Sequence, residues 1–158
     1  MSAKKIGYWL AVICLLLYCW FSPHWAWAGI EDDYYEGNIF VLYAGNGSLV
    51  PPKLNLKQSL QLGKPAVLVF YVDDSRDCKK FAINLNRWQA RYTPQLSIIP
   101  INADSLSPEV EEAQYFKGLV PQTVVVDRQG QVRLNVVGAN KGAQVEEALQ
   151  SLLAVSNQ

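Results

Sequence analysis

The chain has 158 residues, 50% hydrophobic, 11% aromatic and 18% charged, which fits one domain and excludes both a disordered chain and a polytopic membrane protein. Lys plus Arg and Asp plus Glu each total 14, and the positive charges form no block. Nucleic acid is therefore excluded as a partner.

The apolar surplus lies at the start. Lys4 and Lys5 precede an uncharged run from Ile6 to Phe21, and Ala26-Trp27-Ala28 then has the small-x-small form of a signal-peptidase site. A spanning helix needs about 20 apolar residues, so the run is slightly short unless the Trp-rich stretch to Ala28 extends it. Tyr8 and Trp9 at one end, with Trp20, Trp25 and Trp27 at the other, suit two lipid-water interfaces. Residues 1–28 read as a retained anchor or as a cleaved signal. Either way the positive flank stays cytoplasmic and the remainder is exported. Without Lys4 and Lys5 that remainder is weakly acidic. Cys14 and Cys19 fall in the apolar segment and read as helix filler, which leaves Cys78 alone in the domain and no intramolecular disulfide there.

Residues 29–38 carry Glu31, Asp32, Asp33 and Glu36 and form an acidic linker, and the domain occupies 39–158. Ile39 to Tyr43 is a short β-type run. Gly45-Asn46-Gly47-Ser48 is a turn rather than a phosphate loop, and its chance match to a glycosylation acceptor carries little weight. Leu54 to Leu62 suits a short helix closed by Gly63. Ala66 to Val72 is a continuous apolar run, the pattern of a strand buried on both faces. Asp73-Asp74-Ser75 supplies N-cap chemistry for a helix bearing Phe81, Leu85 and Trp88, which Pro94 ends. Leu96 to Ile101 is a second buried strand, and Ser107-Pro108-Glu109 opens a short acidic helix through Phe116. Thr123 to Val126 and Val132 to Val137 flank the turn Asp127-Arg128-Gln129-Gly130. A last helix runs from about Lys141 to Leu153. The expected class is α/β, a mixed sheet between helices.

This order resembles the thioredoxin fold, through Val67 to Phe81, Asn102-Ala103-Asp104, Val120-Pro121 and Asp127 to Gly138. The stretches Val126 to Gly130 and Asn135 to Gly138 are most similar to membrane-anchored thioredoxin-like proteins of cyanobacterial and plastid thylakoids, which face the lumen. The resemblance places the family's Cys-x-x-Cys at Ser75-Arg76-Asp77-Cys78 and its cis-proline turn at Val120-Pro121. It also implies that the Trp before the first Cys is here Asp74, the buried Asp is Val69, and that Asp's lysine neighbour is Pro100.

Dithiol exchange needs a first thiolate and a second thiol to resolve the mixed disulfide, and the Ser75 hydroxyl provides neither. Ser75 reads as a helix cap rather than a nucleophile, since the one histidine, His24, belongs to the apolar segment. Cys78 reads either as a packed thiol or as a single-thiol site that forms mixed disulfides. Asp73, Asp74 and Asp77 suit the helix dipole, so no metal is inferred, and neither a cofactor nor a small-molecule substrate is implied. The resemblance further implies that the backbone beside Pro121 pairs with an extended segment of a partner by strand addition, with Ser75, Arg76, Asp77, Val120, Pro121 and Gln122 as contact residues. The expectation is a membrane-tethered binding module, in a thylakoid lumen or periplasm, that binds or helps assemble a membrane protein complex. A single-thiol oxidoreductase and a structural subunit of a larger complex are the alternatives.

Overall fold

The computed structural model describes residues 39–45 and 47–154. The apolar segment 1–28, the linker 29–38 and Asn46 of the acceptor motif lie outside the described residues. Within those described, no helix is long and apolar enough to cross a membrane.

Four strands form one mixed sheet: β1 Ala66–Tyr71, β2 Ser97–Asn102, β3 Gln122–Val126 and β4 Val132–Val137, in the order β2-β1-β3-β4. β1 is parallel to β2 and antiparallel to β3, and β3 is antiparallel to β4. As the continuous apolar run requires, every residue of β1 is buried. Its side chains alternate between two cores. Val67, Val69 and Tyr71 enter one with Phe81, Leu85 and Trp88, while Ala66, Leu68 and Phe70 enter the other with Leu56, Ile99 and Val124. This is a thioredoxin-like α/β arrangement.

The helices are α1 Ile39–Tyr43, α2 Leu56–Gln61, α3 Arg76–Tyr92 and α4 Gly142–Ala154. The run Ile39 to Tyr43, expected as a strand, is helical. Its branched and aromatic composition favours β structure, but burial follows a four-residue spacing. Phe40 and Ala44 are fully buried, Leu42 is exposed, and the Ala44 N–H donates to the Phe40 carbonyl at 2.8 Å. Tertiary packing overrides propensity here.

The acidic helix expected from Ser107 to Phe116 is instead a 3-10 turn at Glu111–Tyr115. Glu112 leaves that surface and turns inward, where its Oε1 accepts from the Leu56 N–H at 2.8 Å and satisfies a free donor at the start of α2. The N-cap of α2, Asn55, forms a capping box with Gln58.

Candidate functional site

β1 and β2 end at one edge of the sheet, and β3 begins there. Phe70 pairs with Gln122, so the sheet register carries Pro121 and Val120 alongside Tyr71 and Val72, just before the start of α3. The Val120-Pro121 bond is cis. The expected site residues Ser75, Arg76, Asp77, Val120 and Pro121 thus come to the same end of the domain.

Ser75 is half-buried and caps α3, its Oγ accepting from the Cys78 N–H at 3.2 Å. The hydroxyl is engaged with the helix it precedes, as a cap would be. Cys78 is fully buried. Burial pushes its thiol up, and Asp77 adds to this, while hydrogen bonds with Ser75 and the Val72 backbone oppose it. The protonated thiol is therefore favoured, within the buried cluster that also holds Phe81 and Ala82. Val69 and Pro100 pair across β1 and β2 and are both buried, so the two positions beneath the site hold apolar groups in direct register.

Asp73 carries the site's other perturbed group. Burial raises its pKa, Asp74 and Asp104 raise it further, and the Asn102 amide, donating at 3.1 Å, partly offsets them. Among the described residues no group of three or more His, Cys, Asp or Glu is placed to hold a metal ion.

On the opposite side, Pro121 is buried and its carbonyl accepts from the Gly138 N–H at 2.8 Å. Val120, half-buried, makes no hydrogen bond through its backbone N–H or C=O among the described residues, and Leu119 before it is 63% exposed. Among the described residues this leaves one backbone N–H and C=O without a hydrogen bond, next to an exposed apolar side chain.

Gln122 departs from expectation. Its side chain is fully buried. Oε1 accepts from the Lys117 N–H at 2.8 Å, and Nε2 donates to the Tyr115 carbonyl at 2.7 Å and to Asn135 Oδ1 at 2.9 Å. It ties the segment leading into Leu119 and Val120 to the sheet. A lone amide in the apolar run Val120 to Val126 was the sequence signal for a buried, fully bonded polar side chain.

A feature that spacing did not reveal lies behind α3. Asn86 Nδ2 donates to the Tyr43 carbonyl, its Oδ1 accepts from the Gly45 N–H at 2.6 Å, and Phe40 stacks on Tyr71 with ring centroids 3.7 Å apart. Gly45 has φ +76°, and a Cβ there would come within 2.7 Å of Gln89 Oε1 and 2.9 Å of Leu49 Cγ, so the tight turn needs glycine. An open groove of about 610 Å³ lies elsewhere, lined by Pro65, Asp127, Arg128 and Arg133 from the far end of the sheet with Ala148 and Leu152 of α4.

Residues 52–153 match the thioredoxin-like domain family. The chain belongs to that family. Thylakoid membrane protein slr1796 of Synechocystis sp. is 44% identical over 155 residues, covering 90% of this chain and 77% of that protein. The chloroplastic thioredoxin-like protein HCF164 of Arabidopsis thaliana is 26% identical over 106 residues, which are 67% of this chain and 41% of its own length. In fold, the chain is similar to mitochondrial thioredoxin 3 of Saccharomyces cerevisiae, with TM-score 0.50 at 24% identity over 62% of this chain and 91% of that one. The Drosophila thioredoxin Deadhead gives 0.51 at 18% identity over 61% and 90%.

Proposed function

We propose that this protein is a membrane-tethered binding member of the thioredoxin-like family, acting at a thylakoid membrane, that receives an extended segment of a membrane protein partner and assists assembly of its complex. The observation that carries the reading is the pairing of an open Val120 backbone with a Cys78 thiol buried beneath the Ser75 cap. Strand addition needs an unpaired N–H and C=O on an extended residue, and thiol exchange needs an accessible thiolate. The unbonded Val120 N–H and C=O support the first, and the burial of Cys78 speaks against the second. The likeness to a protein named for the thylakoid membrane supports the location, and the export pattern of residues 1–28 supports the lumenal side.

The test is affinity purification from solubilised membranes followed by mass spectrometry, with Cys78→Ser and Leu119→Asp compared to the unmodified chain. The expected result is a dedicated membrane protein partner retained by Cys78→Ser and lost with Leu119→Asp. Loss of the partner with Cys78→Ser, together with indifference to Leu119→Asp, would overturn the reading in favour of thiol capture.

A further inference from the structure

We propose that the open groove at the far end of the sheet binds a small amphiphilic anion: a soluble phosphate, sulfonate or carboxylate that carries an apolar ring or short chain. The inference rests on the side chains of the groove and is independent of what binds at Val120.

β1 begins at this end and β3 finishes there, so the groove lies a strand length away from Ser75 and Val120. One wall is the turn after β3 with the start of β4, which supply Asp127, Arg128 and Arg133. The other is the second half of α4, which supplies Ala148, Ser151 and Leu152. Its volume of about 610 Å³ falls among pockets that hold small organic molecules, roughly 300–1,000 Å³.

Asp127 decides the character of the first wall. It is buried and both of its oxygens are committed, Oδ1 to the Gln129 and Gln131 N–H groups and Oδ2 to Arg133. It fixes the Arg133 guanidinium through Nε and Nη2, while Nη1 has no partner among the described residues and the side chain stays 57% exposed. A planar cation already held in one orientation loses little freedom when an oxyanion meets its open edge. Arg128, in the same turn, is exposed, and its side chain makes no hydrogen bond or ion pair among the described residues. One carboxylate against two guanidinium groups leaves the wall with a positive charge in excess. Among the described residues no other acid lines the groove, and Glu147, one turn before Ser151 on α4, lies outside the lining.

The second wall adds a requirement of its own. Ala148 and Leu152 are four residues apart, fall on one stripe of α4 and are half-buried, with the buried Pro65 also in the lining. α4 ends at Ala154, so its last carbonyls place partial negative charge at this end of the helix. A bare anion is disfavoured there relative to one whose apolar body covers Leu152 and Ala148. Cationic side chains on one wall and apolar surface on the other, in a space of this size, select a molecule that has both parts.

The experiment is amide chemical-shift titration of the full chain in zwitterionic detergent micelles with phenyl phosphate, set against inorganic phosphate and benzyl alcohol. Phenyl phosphate should move the amides of Arg128, Gln129, Ala148, Ser151 and Leu152 to saturation and leave those of Ser75 and Val120 in place. Either half of the molecule alone should bind at least about fivefold more weakly. Arg128→Gln, which removes no contact of the fold, should weaken phenyl phosphate by a similar factor. Ser151→Glu, which puts a carboxylate into the lining, should do the same, whereas Lys57→Gln, which removes an exposed cation of α2 outside the groove, should not. Equal affinity for inorganic phosphate and phenyl phosphate would reduce the groove to an adventitious anion site only and overturn the proposal. Equal effects of Arg128→Gln and Lys57→Gln, or indifference to both Arg128→Gln and Ser151→Glu, would overturn it as well. So would larger shifts from phosphatidylglycerol added to the micelles than from phenyl phosphate, which would assign the groove to a lipid, and binding that appears only once residues 155–158 are removed.

Discussion

Replacing Gln122 with alanine tests whether the open backbone at Val120 is held in place from behind. The side chain is fully buried and makes three hydrogen bonds, two of them to the backbone of the segment from Tyr115 to Lys117. A net hydrogen bond is worth about 0.5–1.5 kcal/mol, and an unsatisfied buried partner costs about 1–3 kcal/mol. Because Tyr115 is half-buried and Lys117 exposed, water replaces part of what is lost. A loss of about 2–4 kcal/mol is expected, and each kcal/mol lowers Tm by about 2–4 °C at this chain length. Calorimetry of the full chain measures the first quantity. Hydrogen exchange at the Lys117 amide measures the local one, because that N–H donates to Gln122 Oε1, and its protection should disappear. Under the proposed reading partner retention should fall as well, although the replaced side chain is buried. A variant within 0.5 kcal/mol of the unmodified chain, with Lys117 still protected, would refute the bracing role.

Asp127 accepts from the Gln129 and Gln131 N–H groups at 2.9 and 2.8 Å and from Arg133 Nε at 2.6 Å. Burial opposes its charge, but these bonds prevail and its pKa is lowered. The stabilisation is therefore complete above the unfolded value of about 3.9 and is lost as pH falls through the lower folded value. Asp127→Asn should cost about 1.5–3 kcal/mol at neutral pH and flatten the acid limb of the stability curve. Phe40→Ala removes a fully buried ring stacked on Tyr71, and urea titration should show a loss of about 3–5 kcal/mol. In peptide-resolved alkylation of the native chain, Cys78 should stay unmodified until unfolding. Ser75→Cys should add one reactive thiol at the helix N-terminus while insulin reduction stays far below that of an ordinary dithiol thioredoxin.

The parts of the fold that sequence made legible are those where the local pattern and the tertiary demand agree. Ala66 to Val72 could hardly be anything but a central strand, and Ser75 carries both the residue type and the position of an N-cap. The β3 and β4 hairpin follows from its turn residues. Ile39 to Tyr43 misled because five residues are too few for periodicity to outweigh composition, and what decides them is the far-off Tyr71 ring and the Asn86 amide. The site divided in the same way. Ser75, Cys78 and Val120-Pro121 were located by the resemblance, which runs through contiguous motifs. The direction in which Gln122 points was not, because β3 alternates and its first residue falls on a buried face set by the Tyr115 to Lys117 segment.

The substitutions at the site form one physical argument rather than four separate ones. A buried carboxylate beneath a thiol is costly to desolvate and is worth keeping only where a proton must move. With Ser75 at the exposed position no thiolate forms there, no mixed disulfide awaits resolution, and Cys78 has no proton to give up. The strand positions below it are then free to hold Val69 and Pro100, which pack in register at no electrostatic cost. Asp74 and Asp77, which would hinder a thiolate, instead suit the positive end of the helix that Ser75 caps. What none of these changes alters is the backbone across the gap. Among the described residues the Val120 N–H and C=O make no hydrogen bond, and Gln122 fixes the segment that leads to it. The backbone that the proposed reading assigns to an extended chain is thus independent of the changes at Ser75, Val69 and Pro100, so partner retention and thiol exchange should respond to separate substitutions, Leu119→Asp lowering the first and Ser75→Cys bearing only on the second.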